Sequence, residues 1–536
     1  VIAFAALLER LVFTPGRGGK IALLRRYFES TPDPDRGIGL AAVTGELSFT
    51  AAKPALIREL AAARTDPELF AWSYDYVGDL AETVALMWPA TPTEGETTPS
   101  LAEVARTLSA APKAELPGIV AGWLDASDPS VRFALLKLIT GGLRVGVSSR
   151  LAKLALAEMT GGRIGADDIE EVWHGLAPPF AALFAWAEGS GPRPDPAGAP
   201  SFRPLMLAHP LEPADRAGLD PAALRAEWKW DGIRVQLVGM PAGRRVFSRG
   251  ADDISAAFPE IAEAMAFHAV LDGELLVVRD GVVAPFAELQ QRLNRKQVTA
   301  KLRRDFPVAV RLYDMLFEGA EDLRPLPFDA RRARLEGFFG RTRPARMELS
   351  ELVAFDTIEQ LADLRDGARA AGIEGLMLKR GDSPYVPGRP KGLWWKWKRQ
   401  PLTVDAVLMY AQRGHGRRSS FYSDFTFGLW RPAGPDAEEL VPVGKAYSGF
   451  TDAELGFLDR WVRGHTVARF GPVREVEKAL VVEVAFDAAQ RSSRHRSGVA
   501  LRFPRIARIR TDKPAAEADR LASLLRLVED APGGRA

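Results

Sequence analysis

The stretch EWKWDGIRVQLV, residues 227 to 238, sets Lys229 between two tryptophans and follows it with Asp231 and Gly232. On a strand, alternate side chains share a face, which groups Lys229 with Asp231 and Ile233 and sends Trp228, Trp230 and Gly232 to the other side. Alone, the pattern reads as a strand-end ion pair running into a turn. The chemical reading is a nucleophilic lysine, which needs surroundings that disfavour the ammonium and cations that receive an anionic substrate. Trp228 and Trp230, with Arg234, Lys396 and Lys398, would disfavour the ammonium, whereas Asp231 would favour it. Further candidates arrive in order: Arg249 in FSRG, Glu274 in LDGELLV, Tyr313 and Asp314 in LYDML, Glu374 and Lys379 in EGLMLKR, Lys396 and Lys398 in WWKWKR. Each alone also reads as a turn arginine, a hairpin acid, a core tyrosine or a solvated strand end.

Composition narrows the chemistry. The chain has no cysteine, and its six histidines show no H-x-x-x-H spacing, which excludes disulfides, thiol catalysis and cysteine-ligated zinc. A metal, where one is used, should be a hard, oxygen-bound cation. The net charge of +2 is uninformative, but its distribution is not. Residues 379 to 399 carry seven basic residues against one acidic, and residues 491 to 513 carry eight against one, so both read as phosphate-binding runs. Trp394, Trp395 and Trp397 interleave the first run, and a fully solvated strand has no need of three indoles.

The elements that must hold these residues fall into three expected domains, at residues 1–200, 201–400 and 401–536. The first reads as helical to about residue 186, with Phe4, Leu7, Leu8, Leu11 and Val12 on one face and further helices near 53–63, 131–140 and 148–159. Within it, LRVGVSSRLAKLA opens a helix at Ser148 or Ser149, and Arg144, Arg150 and Lys153 there are candidate phosphate contacts. The rival reading is a plain helix–helix junction. GSGPRPDPAGAPSFRP, residues 189 to 204, is a Pro/Gly-rich linker. Strands mixed with helices follow, including one near 357–371, in an α+β pattern. From Thr403 strands dominate, about five with a helix near 451–463, as in a small Greek-key barrel of the oligonucleotide-binding (OB) type, and RLVEDAPGGRA reads as a fraying tail. No apolar run approaches the ~18 residues of a membrane span, and Glu9 and Arg10 interrupt the opening VIAFAALLERLVF where a secretory signal needs an unbroken core. The expected location is the cytoplasm.

Taken together and in this order, with Arg510, Asp512 and Lys513 completing an R-x-D-K at the end, these segments resemble the six collinear motifs of the covalent nucleotidyltransferases. The helical region, nucleotidyltransferase and OB-type barrel resemble the layout of ATP-dependent DNA ligases across the whole chain, and RFPRIARIRTDK is especially close to the end of that family. The opening LLERLVFTPGRGGK also resembles bacterial ligases found beside a helicase and an exonuclease in repair gene clusters. Tyr313 departs from the phenylalanine of many ligases, and the surroundings of Lys229 are unusually rich in tryptophan. Neither change removes a chemical function.

The resemblance implies a helical DNA-binding domain, an α+β adenylation domain and an OB-fold barrel. It implies a monomer that seals 5′-phosphate/3′-hydroxyl nicks in duplex DNA, in repair or replication, through a lysine–AMP intermediate. Lys229 would be the nucleophile beside Asp231. Glu274 and Glu374 would hold Mg²⁺, which Mn²⁺ could replace, and Lys396 and Lys398 would contact the α-phosphate of ATP. Tyr313 would stack on adenine and Glu227 would read its amino edge. Arg234 and Arg249 would reach ribose or the nick phosphate, and Arg510 and Lys513 the outer phosphates. An RNA ligase or mRNA-capping guanylyltransferase shares the lysine chemistry, but the minimal capping layout lacks a large preceding helical domain. NAD-dependent ligases carry a zinc module that needs cysteines. A non-catalytic nucleic-acid-binding protein on a degenerate scaffold is disfavoured by the intact Lys229, Glu274, Glu374 and Lys398.

Overall fold

Helix-forming periodicity runs through the first part of the chain and stops in the Pro/Gly-rich stretch after Glu188. The computed structural model describes all residues except 90–97, 197, 217, 294, 296, 369–372, 414–420, 435–436 and 530–536. It resolves into two units, Val1–Pro204 and Leu205–Ala536. In the first, helices pack around one apolar cluster that includes Phe4, Leu8, Phe28, Leu40, Leu136 and Phe184. Their starts follow local chemistry. Pro54 and Pro129 open Pro54–Arg64 and Pro129–Thr140, where a missing N–H costs nothing, and Asp128 caps the latter. Ser148 caps Ser149–Met159 through the amide of Leu151 at 3.2 Å. No described helix is long and apolar enough to cross a membrane.

The second unit begins with two sheets. One contains β1 (Leu224–Trp230), and the chain then turns at Asp231 and Gly232 into the other, which contains β2 (Ile233–Met240), β3 (Gly243–Ser248), β4 (Ala269–Arg279) and β5 (Val308–Glu318). Antiparallel pairing runs β3–β2–β4–β5. β6 (Ile373–Arg380) and β7 (Trp394–Lys398) return to the first sheet, in the order β7–β6–β1, with the short strands His209–Pro210 and Leu352–Val353 at its two edges. Asp231 therefore lies in the turn between the sheets and not on the strand that carries Lys229, contrary to the sequence expectation. Gly232 is required there, because a Cβ would sit 2.5 Å from the carbonyl oxygen of Leu275. Each sheet has its own apolar cluster, one around Val235, Leu271, Phe258 and Leu312 and the other around Leu376, Leu378, Trp395 and Trp397. The alternation of β7 explains its composition: Trp395 and Trp397 enter the core, and Lys396 and Lys398 are left on the opposite face. The expected helix near 357–371 is Ile358–Gly367, and 369–371 lie outside the described residues.

Beyond Gln400 the chain forms an antiparallel half-barrel. The long β8 (Leu402–Arg413) pairs along one edge with β9 (Tyr422–Pro432), which carries β10 (Glu438–Ala446). Along its other edge it pairs first with β13 (Val481–Phe486) and then with β12 (Val473–Val476), the partner of β11 (Thr466–Phe470). A hairpin of β14 (Ala488–Arg491) and β15 (Val499–Arg502) precedes β16 (Arg505–Arg510), which closes on β13. There are more strands than the five expected, because the added ones are mostly short and rich in arginine, with weak period-2 alternation. A capping box at Thr451 and Glu454 opens the helix Asp452–Gly464. The expected fraying tail is also revised: Leu521–Glu529 is a helix, with Leu524 and Val528 in the half-barrel core, and 530–536 lie outside the described residues.

Candidate active site

Strand register brings the chemistry together. Gly375 on β6 stands opposite Lys229 on β1 and Lys398 on β7, while Met377 stands between Glu227 and Lys396. Gly375 has φ +149° and a Cβ there would lie 2.2 Å from the carbonyl oxygen of Trp397, so the strand bulges beside Glu374 only because this residue has no side chain. From the second sheet, β2 and β4 place Arg234 opposite Glu274, and β5 adds Tyr313. The result is a cavity of about 420 Å³ whose lining includes Glu227, Lys229, Asp231, Arg234, Arg249, Glu274, Tyr313, Glu374, Lys396 and Lys398. A larger groove of about 1170 Å³ runs past Trp228, Trp230, Phe355, Asp356 and Leu364, but it lacks Lys229, Glu274, Glu374 and every other lysine. The smaller cavity is the site.

Lys229 Nζ is ion-paired with Glu374, not Asp231, and Lys398 Nζ lies 3.5 Å from the other Glu374 oxygen. Burial raises the Glu374 carboxyl, but Lys229 and Lys398 outweigh it and hold the group below its ordinary range. Glu274 goes the other way. Burial pushes it up to about 7, with Lys229 and Arg234 opposing and Glu374 and Asp231 reinforcing the rise. Burial likewise raises Asp231, partly offset by Arg502. Lys396 is lowered by burial and then by Arg389, Lys398, Lys229 and Arg249, which shows how many cations converge on one face. Such a face suits a polyanion.

A metal has a place here. Among the described residues no group of three or more His, Cys, Asp or Glu could hold an ion alone. Yet Glu274 is a carboxyl raised by burial and reinforced by two neighbouring carboxylates, a strain that a hard dication relieves, and magnesium commonly uses one or two carboxylates and completes its shell with phosphate oxygens and water. The acids fit that mode.

Of the adenine-recognition candidates, Glu227 is buried and Tyr313 half-buried. Glu227 pairs with Lys379 at 2.5 Å, both 2% exposed, and Lys379 sits 4.5 Å from the Tyr313 ring centre and 4.7 Å from that of Trp394. Arg234 lines the cavity, but its terminal nitrogens are committed: Nη1 donates to the Met206 carbonyl at 2.6 Å and Nη2 to Asp272 at 2.6 Å and Tyr385 at 3.0 Å. As placed, it braces the cavity wall. Arg249 remains exposed at the rim.

Three further candidates lie outside the cavity lining. Arg510 and Lys513 are not among the lining residues; both bind Asp405, at 3.0 and 2.8 Å. Lys153 cannot meet DNA as placed, because its side chain is 3% exposed and its ammonium is bound to Glu170 at 2.6 Å and stacked 4.2 Å over Trp173. Arg144 and Arg150 are exposed as expected, with Arg150 also bridged to Asp167 at 3.0 Å. The residue that sequence reasoning passed over is Arg502, the last residue of β15. It enters the cavity lining, pairs with Asp231 and lies 4.3 Å over the ring of Phe286. Its only signal was membership in the basic run before the R-x-D-K. Nearby, Asp487 of the half-barrel approaches Lys398 at 3.5 Å.

Residues 205–398 match a family model described as the ATP dependent DNA ligase domain, and 418–513 match one described as the ATP dependent DNA ligase C terminal region. A probable DNA ligase of Koribacter versatilis (strain Ellin345) is 33% identical over 96% of this chain and 94% of its own length. Another from Anaeromyxobacter sp. (strain Fw109-5) is 35% identical over 80% of this chain and 82% of its own. The solved structure Pmar-Lig_PreS3 shares the fold, with a TM-score of 0.56 at 15% identity over 95% of this chain and 99% of that one.

Proposed function

We propose, from the premise that the chain belongs to the ATP-dependent DNA ligase family, that it seals nicked duplex DNA through Lys229. The observation that carries the residue assignment is the convergence of Lys229, Lys396, Lys398, Glu274 and Glu374 from both sheets on one cavity. Nζ of Lys229 attacks the α-phosphorus of ATP, the N–P bond forms, and the α–β anhydride bond breaks with its electron pair leaving on pyrophosphate. An oxygen of the nick 5′-phosphate then attacks the lysyl phosphorus, the N–P bond breaks, and its electron pair returns to Nζ, which takes up a proton. Finally the 3′-hydroxyl oxygen attacks the adenylated 5′-phosphate, loses its proton and expels AMP. Nζ must leave Glu374 before the first step. Lys396 and Lys398 neutralise charge on the α-phosphate, and Asp231 orients the turn beside the nucleophile. Glu227, held by Lys379, accepts from the adenine amino group, Tyr313 stacks on the ring, and Arg249 meets ribose or the nick phosphate. Glu274 and Glu374 would hold Mg²⁺, or Mn²⁺ in its place, which supplies charge neutralisation at phosphate oxygens.

Arg510 and Lys513 are assigned to the outer phosphates, which requires the half-barrel to take a second orientation for adenylation. The domain limits that go with these roles are 1–200 for the helical DNA-binding domain, 201–400 for adenylation and 401–536 for the OB-fold domain. A cytoplasmic monomer acting beside a helicase and an exonuclease is the finer setting, and the opening LLERLVFTPGRGGK supports that association. Incubation with α-labelled ATP tests the core of the proposal: a covalent adduct on Lys229, followed by sealing of a nicked duplex with ATP and Mg²⁺, is the expected result. An adduct with GTP alone overturns it.

A further inference from the structure

The two half-barrel cations assigned to the outer phosphates share one acid. Asp405 stands near the start of β8, and its Oδ2 accepts from Arg510 Nη1 at 3.0 Å and from Lys513 Nζ at 2.8 Å. The three side chains are only 13%, 21% and 21% exposed. The acid is itself fixed through its backbone. The Asp405 amide donates to Asp519 Oδ2 at 2.8 Å, and the Asp519 amide donates to the Asp405 carbonyl at 2.8 Å, a pair of bonds that does not involve the Asp405 carboxylate. Asp512 takes the remaining edge of the Arg510 guanidinium, from Nε at 3.0 Å and Nη2 at 2.9 Å. β8, β13 and β16 are hydrogen-bonded neighbours, with Asp405 opposite Glu483 and Glu483 opposite Arg508, so the arrangement is internal to the half-barrel and travels with it in any orientation.

We propose that Asp405 is a positioning residue for ATP-dependent lysine adenylation, holding Arg510 and Lys513 as a preset pair of donors for the triphosphate. The inference rests on the assignment of those two cations made above. A long arginine at a strand end and a long lysine in the turn after it lose considerable side-chain freedom when they converge on one ligand, and that loss weakens binding unless it occurs beforehand. A single shared oxygen converges both donors on one point, as needed to meet neighbouring oxygens of one polyphosphate. Partly exposed ion pairs contribute little to folding, so stability alone gives weak reason for two cations to meet here.

The test is single-turnover transfer of α-labelled AMP to Lys229, at several ATP concentrations, by Asp405→Asn, Asp405→Glu, Arg510→Ala, Lys513→Ala and the double variant Asp405→Asn/Arg510→Ala. Each is also assayed for sealing of a pre-adenylated nick without ATP, which reports whether the half-barrel is intact. Asp405→Asn should slow adenylation about tenfold, Asp405→Glu should recover part of the rate, and the double variant should be no slower than Arg510→Ala alone. Sealing of the pre-adenylated nick should persist in all of them. Adenylation at the unaltered rate in Asp405→Asn, while Arg510→Ala is impaired, overturns the positioning role and leaves the cation assignment standing. Equal losses in both assays overturn it in favour of a structural role. Normal adenylation by both Arg510→Ala and Lys513→Ala removes the assignment of those cations, and the inference with it.

Discussion

At the scale of the residue, the nucleophile's dependence on its neighbours can be measured directly. Lys229→Ala should abolish the AMP adduct while changing stability by no more than about 1 kcal/mol, since a side chain open to a cavity contributes little to a core. A persisting adduct, read by gel after α-labelled ATP, would name another lysine. Glu274 gives a second prediction. Its native carboxyl keeps a proton up to about 7, whereas the ordinary group releases it near 4.5, so between those values the native state binds more protons than the unfolded one. Stability of the ligand-free protein should therefore fall as pH rises through that window, by on the order of 2 kcal/mol. Glu374, held low by Lys229 and Lys398, acts only below its ordinary range and does not produce this slope. Thermal melts from about pH 5 to about pH 8 check it, and Glu274→Gln should reduce the slope to the part that the raised Asp231 carboxyl contributes in the same sense. These residues were legible from type and order along the sequence. Their partners were not: nothing in a K-x-D-G shows that Lys229 pairs with Glu374 and Asp231 with Arg502, because those contacts join residues that are far apart in the chain.

At the scale of the element, the proposed mechanism has the half-barrel present different faces to different steps. Arg502 and Asp487 reach Asp231 and Lys398, whereas Arg510 and Lys513 are held at Asp405. This orientation suits the steps after adenylation, in which the outer phosphates have already left. Arg510→Ala should strongly reduce lysine adenylation yet still seal a pre-adenylated nick, and Arg502→Ala should show the reverse, while Lys398→Ala should impair both. Single-turnover assays of the two steps separate these outcomes, and identical losses for Arg502→Ala and Arg510→Ala would remove the two-orientation reading. Val308–Glu318, whose burial alternates over its first half, was readable from period-2 patterning, whereas Ala269–Arg279 is buried at nearly every position and shows little alternation. The turn that moves the chain from one sheet to the other at Asp231 was not, since K-W-D-G continues the alternation and only the closeness of the Leu275 carbonyl shows why the glycine must end the strand. Lys153 illustrates the same limit in a helix: in LRVGVSSRLAKLA it reads as one more surface cation, and its burial depends on Glu170 and Trp173 from the next helix.

At the scale of the whole molecule, every residue assigned to chemistry lies in Leu205–Ala536, which has apolar clusters of its own, while Val1–Pro204 is built around another. A fragment beginning near Phe202 should therefore fold and form the AMP adduct at close to the full-length rate. What it should lack is grip. Arg144 and Arg150 are exposed on the helical unit, and contacts of this kind to phosphates carry no sequence preference but release counterions. Affinity of the intact protein for a nick should accordingly fall steeply with ionic strength, on the order of a thousandfold between about 50 and about 200 mM salt if six or so phosphates are neutralised, and the fragment should bind more weakly with a shallower slope. Nick-binding titrations across salt, run on both proteins, measure the slope difference as the number of phosphates met by the helical unit. A fragment that bound and sealed nicks as well as the full chain at physiological salt, with the same slope, would show that Arg144, Arg150 and their unit do not hold DNA, and that the half-barrel and adenylation domain supply the grip themselves.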